Sequence, residues 1–305
     1  MAQPLILFQA YGHQDIINEC RFALLRWMAV YKNAQAALPT FLVYTDVPRA
    51  FVPFKNFIPL HTQAVTANDL AQWRGRIQFV HRVKIEIILD ALEKAEGPLL
   101  YCDTDTYPLH TVDVIAAQIT AQQVAMHVNE GTLAHPQSAH LRKWKSFLTR
   151  TQGLPFPMWP LAQFHMWNAG VVGIVKAHQA LVLEALRLTD ALYPLFPKHT
   201  VEQFAFCHAF QQQGVGIRPA AGHIFHYWDL KEFRTLLHQF FSAAPNDAGQ
   251  WIEWAEKLQP HQMMADKAAF KKQPALVKAV QHLWGKEWRI AQYAAGAINL
   301  QKEPG

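Results

Sequence analysis

The chain has 305 residues, of which 51% are hydrophobic and 17% are charged, and its formal net charge at pH 7 is +5. This composition supplies enough apolar side chains for a folded core and excludes a disordered chain. The length fits one large α/β domain with an appended tail. The positive charge favours anionic partners such as phosphates or acidic membrane surfaces, but it does not choose among them.

Three cysteines, Cys20, Cys102 and Cys207, stand far apart in the sequence and form no Cys-x-x-Cys pair. The sequence therefore predicts neither a disulfide framework nor a structural zinc site. The first residues lack the basic segment and the long apolar run of a signal peptide. No run of about 18 apolar residues predicts a transmembrane helix. We therefore expect a cytoplasmic protein.

Apolar patterning predicts strands and helices in alternation over most of the chain. The predicted strands lie at 5–8, 40–44, 99–102, 123–127 and 169–175, and the predicted helices at 16–28, 79–92, 177–192 and 201–212. Such alternation predicts a doubly wound α/β sheet whose ligand crevice lies at the carboxyl ends of the strands. Only helical spacing is evident after about residue 231. We therefore expect a main α/β domain at 1–235 and a helical C-terminal extension at 236–305.

Two aspartates directly follow the apolar strand predicted at 99–102. Asp103 and Asp105 are two positions apart, so an extended backbone presents both carboxylates on one side while Thr104 faces away. Paired anionic oxygens suit a divalent cation, Mn²⁺ or Mg²⁺, that bridges the phosphates of a nucleotide diphosphate. The alternative is a solvated acidic turn, which is the usual origin of an isolated Asp-x-Asp. The position after a buried strand favours the metal site.

The segment Leu99-Leu100-Tyr101-Cys102-Asp103-Thr104-Asp105 resembles the strand and Asp-x-Asp signature of GT-A glycosyltransferases, notably glycogenin-like and lipopolysaccharide galactosyltransferase-like members. Four further segments resemble parts of those enzymes in the same chain order. They are the basic helix segment at 79–84, Asn168-Ala169-Gly170-Val171, Glu202-Gln203, and the segment at 222–228 with its late histidine. The order of these segments is more specific than any one of them.

The resemblance implies an α/β fold of the GT-A type, with a Rossmann-like mixed sheet flanked by helices. It also implies transfer of a sugar from a nucleotide diphosphate sugar, most simply a UDP-sugar. The acceptor would be a glycan, a lipid-linked sugar or a protein. The implied cofactor is Mn²⁺ or Mg²⁺, held by Asp103, Asp105 and His226, with Asp105 as a direct ligand. The residue pattern leaves His223 open as the alternative histidine. His226 is preferred because an aromatic pair and then Lys231 follow it.

The same resemblance implies roles for other residues. The nucleotide sugar would be bound by Gln9, Ala10, Tyr11, Asp46, Arg82, Lys84, Asp103, Thr104 and Lys231, and the catalytic group would contain Glu202, Gln203 and Asn168. Each has a structural alternative. Arg82 and Lys84 fit an exposed helix surface, Asp46 and Asn168 fit turns, and a single histidine is commonly a surface or core residue.

Other functions share these features. A nucleotidyltransferase or a nucleotide-sugar hydrolase also needs an acidic metal site on an α/β sheet. The first predicted strand, however, is followed by the single glycine Gly12 and not by a glycine-rich phosphate loop. A non-catalytic glycan-binding relative is the third reading, and the intact aspartate pair disfavours it. No basic-aromatic motif predicts a nucleic-acid partner.

Two aromatic regions predict further contacts. The proline-rich loop that contains Trp159, together with Glu202, is expected to border the acceptor, because sugars stack on aromatic faces. The tail from Trp251 to Leu300 combines four tryptophans with seven Lys and Arg residues. This mixture suits peripheral contact with an anionic membrane. The alternative is a helical cap whose tryptophans are buried against the main domain.

Overall fold

A computed structural model describes residues 3–154, 156–157, 160–243 and 248–293. The strands are β1 Leu5–Gln9, β2 Thr40–Thr45, β3 Leu60–Ala64, β4 Leu99–Cys102, β5 Thr106–Pro108, β6 Gln123–Met126, β7 Asn129–Thr132, β8 His165–Trp167, β9 Val171–Ile174, β10 Gly216–Pro219 and β11 Ile224–His226. The helices are α1 Gln14–Asn33, α2 Ala67–Trp73, α3 Arg82–Lys94, α4 Asp113–Gln118, α5 Ala139–Arg150, α6 Gln179–Leu192, α7 Val201–Gln212, α8 Phe233–Ala243, α9 Ala248–Lys257, α10 Pro260–Lys272 and α11 Ala275–Leu283.

In the described part of the chain, seven strands form one sheet in the order β10-β6-β9-β4-β1-β2-β3. All of its strands run parallel except β9, which is antiparallel to both of its neighbours. The predicted mixed sheet flanked by helices is therefore confirmed. The strands predicted at 99–102 and the helix predicted at 201–212 occur with the same bounds.

Alternate residues of β1 show why the sheet is covered on both faces. Ile6 and Phe8 pack in one hydrophobic cluster with α1, whereas Leu7 packs in the other with α3, α6 and α7. Residues two apart share a face, so a run of buried apolar residues requires helices on both sides. The helices cover both faces of the sheet but leave the carboxyl ends of β1 and β4 uncovered.

Helix α3 begins at Arg82, three residues later than the helix predicted at 79–92. The preceding segment is a turn in which Gln78 has φ of 51°. That backbone conformation is rare for a residue other than glycine and is incompatible with a continuing right-handed helix. The turn fixes the direction from which α3 approaches the sheet.

The first part of the extension packs on α1. Trp251 and Trp254 on α9 are buried in the same cluster as α1 and α8. The Arg26 Nη1 atom on α1 donates hydrogen bonds to the carbonyls of Ala255, Glu256 and Leu258. These lie at the carboxyl end of α9, where helix carbonyls lack intrahelical partners. The tryptophans of α9 are therefore buried beside α1, while the domain division at 235 stays a prediction.

No helix within the described ranges is long and apolar enough to cross a membrane.

A small antiparallel pair of strands, β5 and β11, fixes the position of the loop that contains Asp103 and Asp105. Strand β5 follows Asp105 directly and pairs with β11, with Thr106 opposite His226. The Tyr227 amide donates to the Asp105 carbonyl at 3.0 Å, which extends this pairing to the loop itself. A residue late in the chain is thereby fixed beside the end of the central strand β4.

Candidate active site

A cavity of about 780 Å³ lies at the carboxyl edge of the sheet. Its wall includes the ends of β1 and β4, the start of α7 and the segment after β11. The predicted site residues in this wall are Gln9, Lys84, Asp103, Thr104, Asp105, Asn168, Glu202, Gln203, His226 and Lys231. Positions distributed over the first 231 residues therefore meet in one place.

Asp103, Asp105 and His226 form a compact group of possible metal ligands. One ligand atom from each lies within 4.8 Å of the others. The Asp105 Oδ1 and His226 Nε2 atoms are 3.0 Å apart. The group contains His226 and not His223, so the preferred histidine is the one beside the aspartates.

The donor set and spacing fit a small divalent cation. Two ligands with bonds of about 2.1 Å are roughly 3 Å apart when adjacent and about 4.2 Å apart when opposite. Two carboxylates and one imidazole suit Mn²⁺ or Mg²⁺, whose preferred ligands are mainly oxygen. The residues present therefore fit a metal centre.

The charges in this group shift one another's pKa. Burial raises the pKa of Asp105, but hydrogen bonds from His226 and Lys231 outweigh it and bring the pKa below its usual range. Burial lowers the pKa of His226, and its hydrogen bond to Asp105 more than compensates, so the net shift is upward. A metal cation bound here would stabilise the Asp105 carboxylate in place of the protonated His226 and the Lys231 ammonium.

Gly170 leaves the space that the His226 ring occupies. A Cβ atom at this position would lie 2.4 Å from the His226 Nδ1 and Cε1 atoms. The Asn168 Oδ1 atom accepts the Gly170 amide at 2.9 Å, forming the turn that precedes β9. The Gly170 carbonyl in turn accepts the amide of Asp103 at 2.8 Å. The Asn168-Ala169-Gly170 segment therefore fixes both the histidine and the first aspartate.

Lys84 bridges two carboxylates inside the cavity wall. Its Nζ atom lies 3.3 Å from Asp103 Oδ1 and 3.2 Å from Glu202 Oε1, and it also donates to the Ala169 carbonyl at 3.2 Å. Burial lowers the pKa of Lys84, but Asp103 and Glu202 raise it further, so the ammonium stays charged. Glu202 Oε2 is buried without a hydrogen-bond partner in the described chain. It is a free acceptor in the wall of the cavity.

Two further cations, Lys231 and Arg234, border the cavity. Lys231 Nζ donates to Asp105 Oδ2 at 2.9 Å, and its side chain is 55% exposed, so the ammonium can exchange this partner for a ligand. Arg234 donates from Nε to Glu19 Oε1 at 2.8 Å. Thr104 donates from Oγ1 to Glu19 Oε2 at 3.3 Å. Burial raises the pKa of Glu19, although Arg234 opposes this shift.

Glu130 on β7 is a cavity residue that the sequence reasoning missed. Its carboxylate accepts hydrogen bonds from Gln203 Nε2 at 2.8 Å and Asn168 Nδ2 at 3.3 Å, and it pairs with His140 Nε2 at 2.9 Å. Burial raises its pKa, but His140 and the two amides outweigh burial and lower it. Glu130 thereby orients two of the predicted catalytic residues.

Four predicted nucleotide-binding residues in the described part of the chain lie outside the wall of this cavity: Ala10, Tyr11, Asp46 and Arg82. Arg82 makes a bidentate pair with Asp190 at 2.6 and 3.1 Å and also binds Glu86. Asp46 Oδ2 accepts the Gly12 amide at 3.0 Å, which joins the loops after β1 and β2.

Ala10 is fully buried, and burial raises the pKa of Tyr11 to about 12. The roles of these four residues stay predictions. Trp159 lies outside the described residues.

Comparisons with protein-family models and with curated proteins give no match. Among solved structures, the apo form of mouse xyloside xylosyltransferase 1 is similar to the chain at 11% identity, covering 70% of this chain and 83% of that chain, with a TM-score of 0.47. Galactosyltransferase LgtC, in complex with donor and acceptor sugar analogues, is similar at 14% identity, covering 71% and 73%, with a TM-score of 0.45.

Proposed function

We propose that the chain is a metal-dependent glycosyltransferase of the GT-A type that uses a nucleotide diphosphate sugar, most simply a UDP-sugar. The observation that carries this proposal is the group Asp103, Asp105 and His226 in the wall of a large cavity at the carboxyl edge of the sheet. Ligands of open α/β sheets bind at this edge. A volume of about 780 Å³ suits a ligand of the size of a nucleotide sugar.

Asp103, Asp105 and His226 would hold Mn²⁺ or Mg²⁺, which supplies a Lewis acid for the diphosphate leaving group. Lys231 would exchange its contact with Asp105 for a phosphate oxygen, because it is the exposed partner of that pair. Its ammonium then stabilises the negative charge that grows on the departing nucleotide. Lys84 would fix Asp103 and Glu202 in position through its contacts with both carboxylates.

The sugar would lie between the aspartates and α7. Glu202 Oε2 is a buried acceptor without a partner there, and the Gln203 and Asn168 amides are oriented by Glu130. These groups suit hydrogen bonding to sugar hydroxyls. A site that binds a hydroxyl contains polar groups that stay unpaired while the hydroxyl is absent, as Glu202 Oε2 does. The base and ribose would lie toward Tyr11 and the joined loops of Gly12 and Asp46. The acceptor would be a glycan or a lipid-linked sugar.

Thermal stability across a panel of nucleotide sugars, with and without Mn²⁺, tests the proposal. A ligand that binds only the folded state stabilises it by about 2.7 kcal/mol at a concentration 100 times Kd. We expect a shift in Tm for nucleotide diphosphates that requires Mn²⁺, together with release of the nucleotide when an acceptor is added. No Tm shift with any nucleotide diphosphate sugar in the presence of Mn²⁺ would refute the proposal. Nucleotide release with free sugar as the only product would identify a hydrolase instead.

A further inference from the structure

Helix α11 carries an apolar surface that no other described residue covers. Leu276 and Leu283 are each 80% exposed and Trp284, which follows the helix, is 70% exposed. Val277 and Val280 are 42% and 43% exposed. The helix contains no buried residue. In this respect α11 differs from α9, whose tryptophans are buried in the core.

These five side chains lie on one face. At 3.6 residues per turn, positions 276, 277, 280, 283 and 284 fall within an arc of about 120°. The polar residues Lys278, Gln281 and His282 lie on the remaining surface. Other exposed large apolar residues, such as Phe57 and Leu195, lie in separate elements. A contiguous apolar patch of this kind is typical of an interaction surface.

The charges around the apolar patch indicate which kind of surface it binds. Residues 260–293 contain six Lys or Arg residues and two Asp or Glu residues. Lys271 and Lys272 precede the helix, and Lys286 follows it with its Nζ atom 5.4 Å from the centre of the Trp284 ring. An apolar stripe flanked by cations and containing tryptophan complements the surface of an anionic bilayer.

A second copy of the chain fits the same surface less well. A nine-residue helix is only about 14 Å long. Its apolar face is therefore smaller than the area of about 800 Å² that each partner of a stable dimer buries. A two-fold contact would also place the two sets of flanking lysines near each other, and like charges at close range oppose association.

We propose that α11 docks on anionic lipid membranes, with Leu276, Leu283 and Trp284 inserted among the lipids and the flanking lysines at the headgroups. Helix α10 connects this surface to the cavity. Lys267 on α10 donates to the Asp229 carbonyl at 2.5 Å and to Glu232 at 2.9 Å, on either side of Lys231. The docked helix is therefore joined to one rim of the cavity. The proposal does not depend on the proposed function.

Co-sedimentation of the full chain with lipid vesicles tests this inference. The vesicles are phosphatidylcholine alone or phosphatidylcholine mixed with phosphatidylglycerol. We expect binding to the mixed vesicles that weakens with added salt and is at least about tenfold weaker on neutral ones. The double variant Leu283→Gln, Trp284→Gln should lose this binding. Replacing Lys271 and Lys272 with Gln should weaken it by about fivefold per lysine.

A matched control replaces two equally apolar exposed residues elsewhere, Phe57→Gln with Leu195→Gln, which are 51% and 53% exposed. It should bind vesicles as the parent does, and all variants should keep the parent's Tm because none of the replaced side chains is buried. The proposal is overturned if the parent binds neither vesicle or if the α11 variant binds as well as the parent. It is also overturned if the parent is a dimer that only the α11 variant dissociates.

Discussion

Two carboxylate groups in the same cavity are stabilised in different ways. Asp105 is paired with His226 and Lys231, which are a titratable imidazole and an exposed ammonium. Glu130 pairs with one titratable partner, His140, and accepts further hydrogen bonds from the neutral amides of Asn168 and Gln203. Partners that carry charge can be exchanged for a metal ion and a phosphate. Neutral donors instead fix the direction of a side chain without competing for an anionic ligand.

The largest effect that follows from this contrast is expected for Asp105→Asn. Even an outer partner of a metal ligand contributes about 10- to 100-fold to metal affinity. We therefore expect Mn²⁺-dependent binding of UDP to weaken by at least about 100-fold, measured by titration calorimetry. The exposed Asp113→Asn is the control and should bind as the parent does. Unchanged binding by the Asp105 variant would show that the aspartate is not a ligand.

Lys84→Met removes the cation that the buried Glu202 shares with the partly exposed Asp103. Breaking a buried ion pair costs about 3–5 kcal/mol because the remaining charge stays uncompensated. We expect a loss of that size in the free energy of unfolding at neutral pH, measured by urea denaturation. Lys176→Met breaks the exposed pair with Glu93 and should cost less than about 1 kcal/mol. Similar losses in both variants would contradict the role given to Lys84.

Gly170→Ala tests whether the position of His226 matters to the metal group. The added methyl would overlap the ring, so the ring or the turn must shift, at a cost of about 1–3 kcal/mol. We also expect Mn²⁺ affinity to fall by about tenfold, because the imidazole moves away from Asp105. Gly222→Ala meets no atom within 4 Å and is the control. An unchanged Mn²⁺ affinity in the Gly170 variant would separate His226 from the metal.

Glu130→Gln should have the smallest effect and should leave Mn²⁺ binding intact. The new amide faces two existing amide donors, so we expect a loss of about 1–2 kcal/mol in unfolding free energy at neutral pH. The pKa of Glu130 is lowered in the folded protein, so its contribution is present above its usual pKa of 4.5 and is lost as the pH falls through the folded value. Melting curves of both proteins should therefore converge in acid. A constant Tm difference across this range would contradict the assignment.

The sequence predicts the centre of the fold well because its signals there are local. The strand at 99–102 is a fully apolar segment that begins directly after Gly97-Pro98, and Asp103 and Asp105 follow it. The direction of β9 is not predictable in this way. Val171 to Ile174 is an apolar run that reads the same for a parallel or an antiparallel strand.

The candidate site is predicted only in part for similar reasons. Arg82 and Lys84 are two residues apart on α3, roughly 200° around the helix, and a resemblance to a basic helix does not say which one reaches the cavity. The structure turns Lys84 inward and Arg82 toward Asp190. Glu130 lies in a short polar segment without a motif. Its one sequence signal is its place just after the strand predicted at 123–127, at the edge where ligands bind.

The guanidinium of Arg26 joins α1 to the carboxyl end of α9. Because it binds three carbonyls at the end of α9, removal of that helix would leave a buried cation without acceptors inside the main core. The segment around α9 therefore belongs to the same cooperative folding unit as α1, although Arg26 and Ala255 are 229 positions apart in the sequence. Calorimetry should show one unfolding transition for both. A chain still under synthesis cannot complete the packing around α1 until residue 258 has emerged.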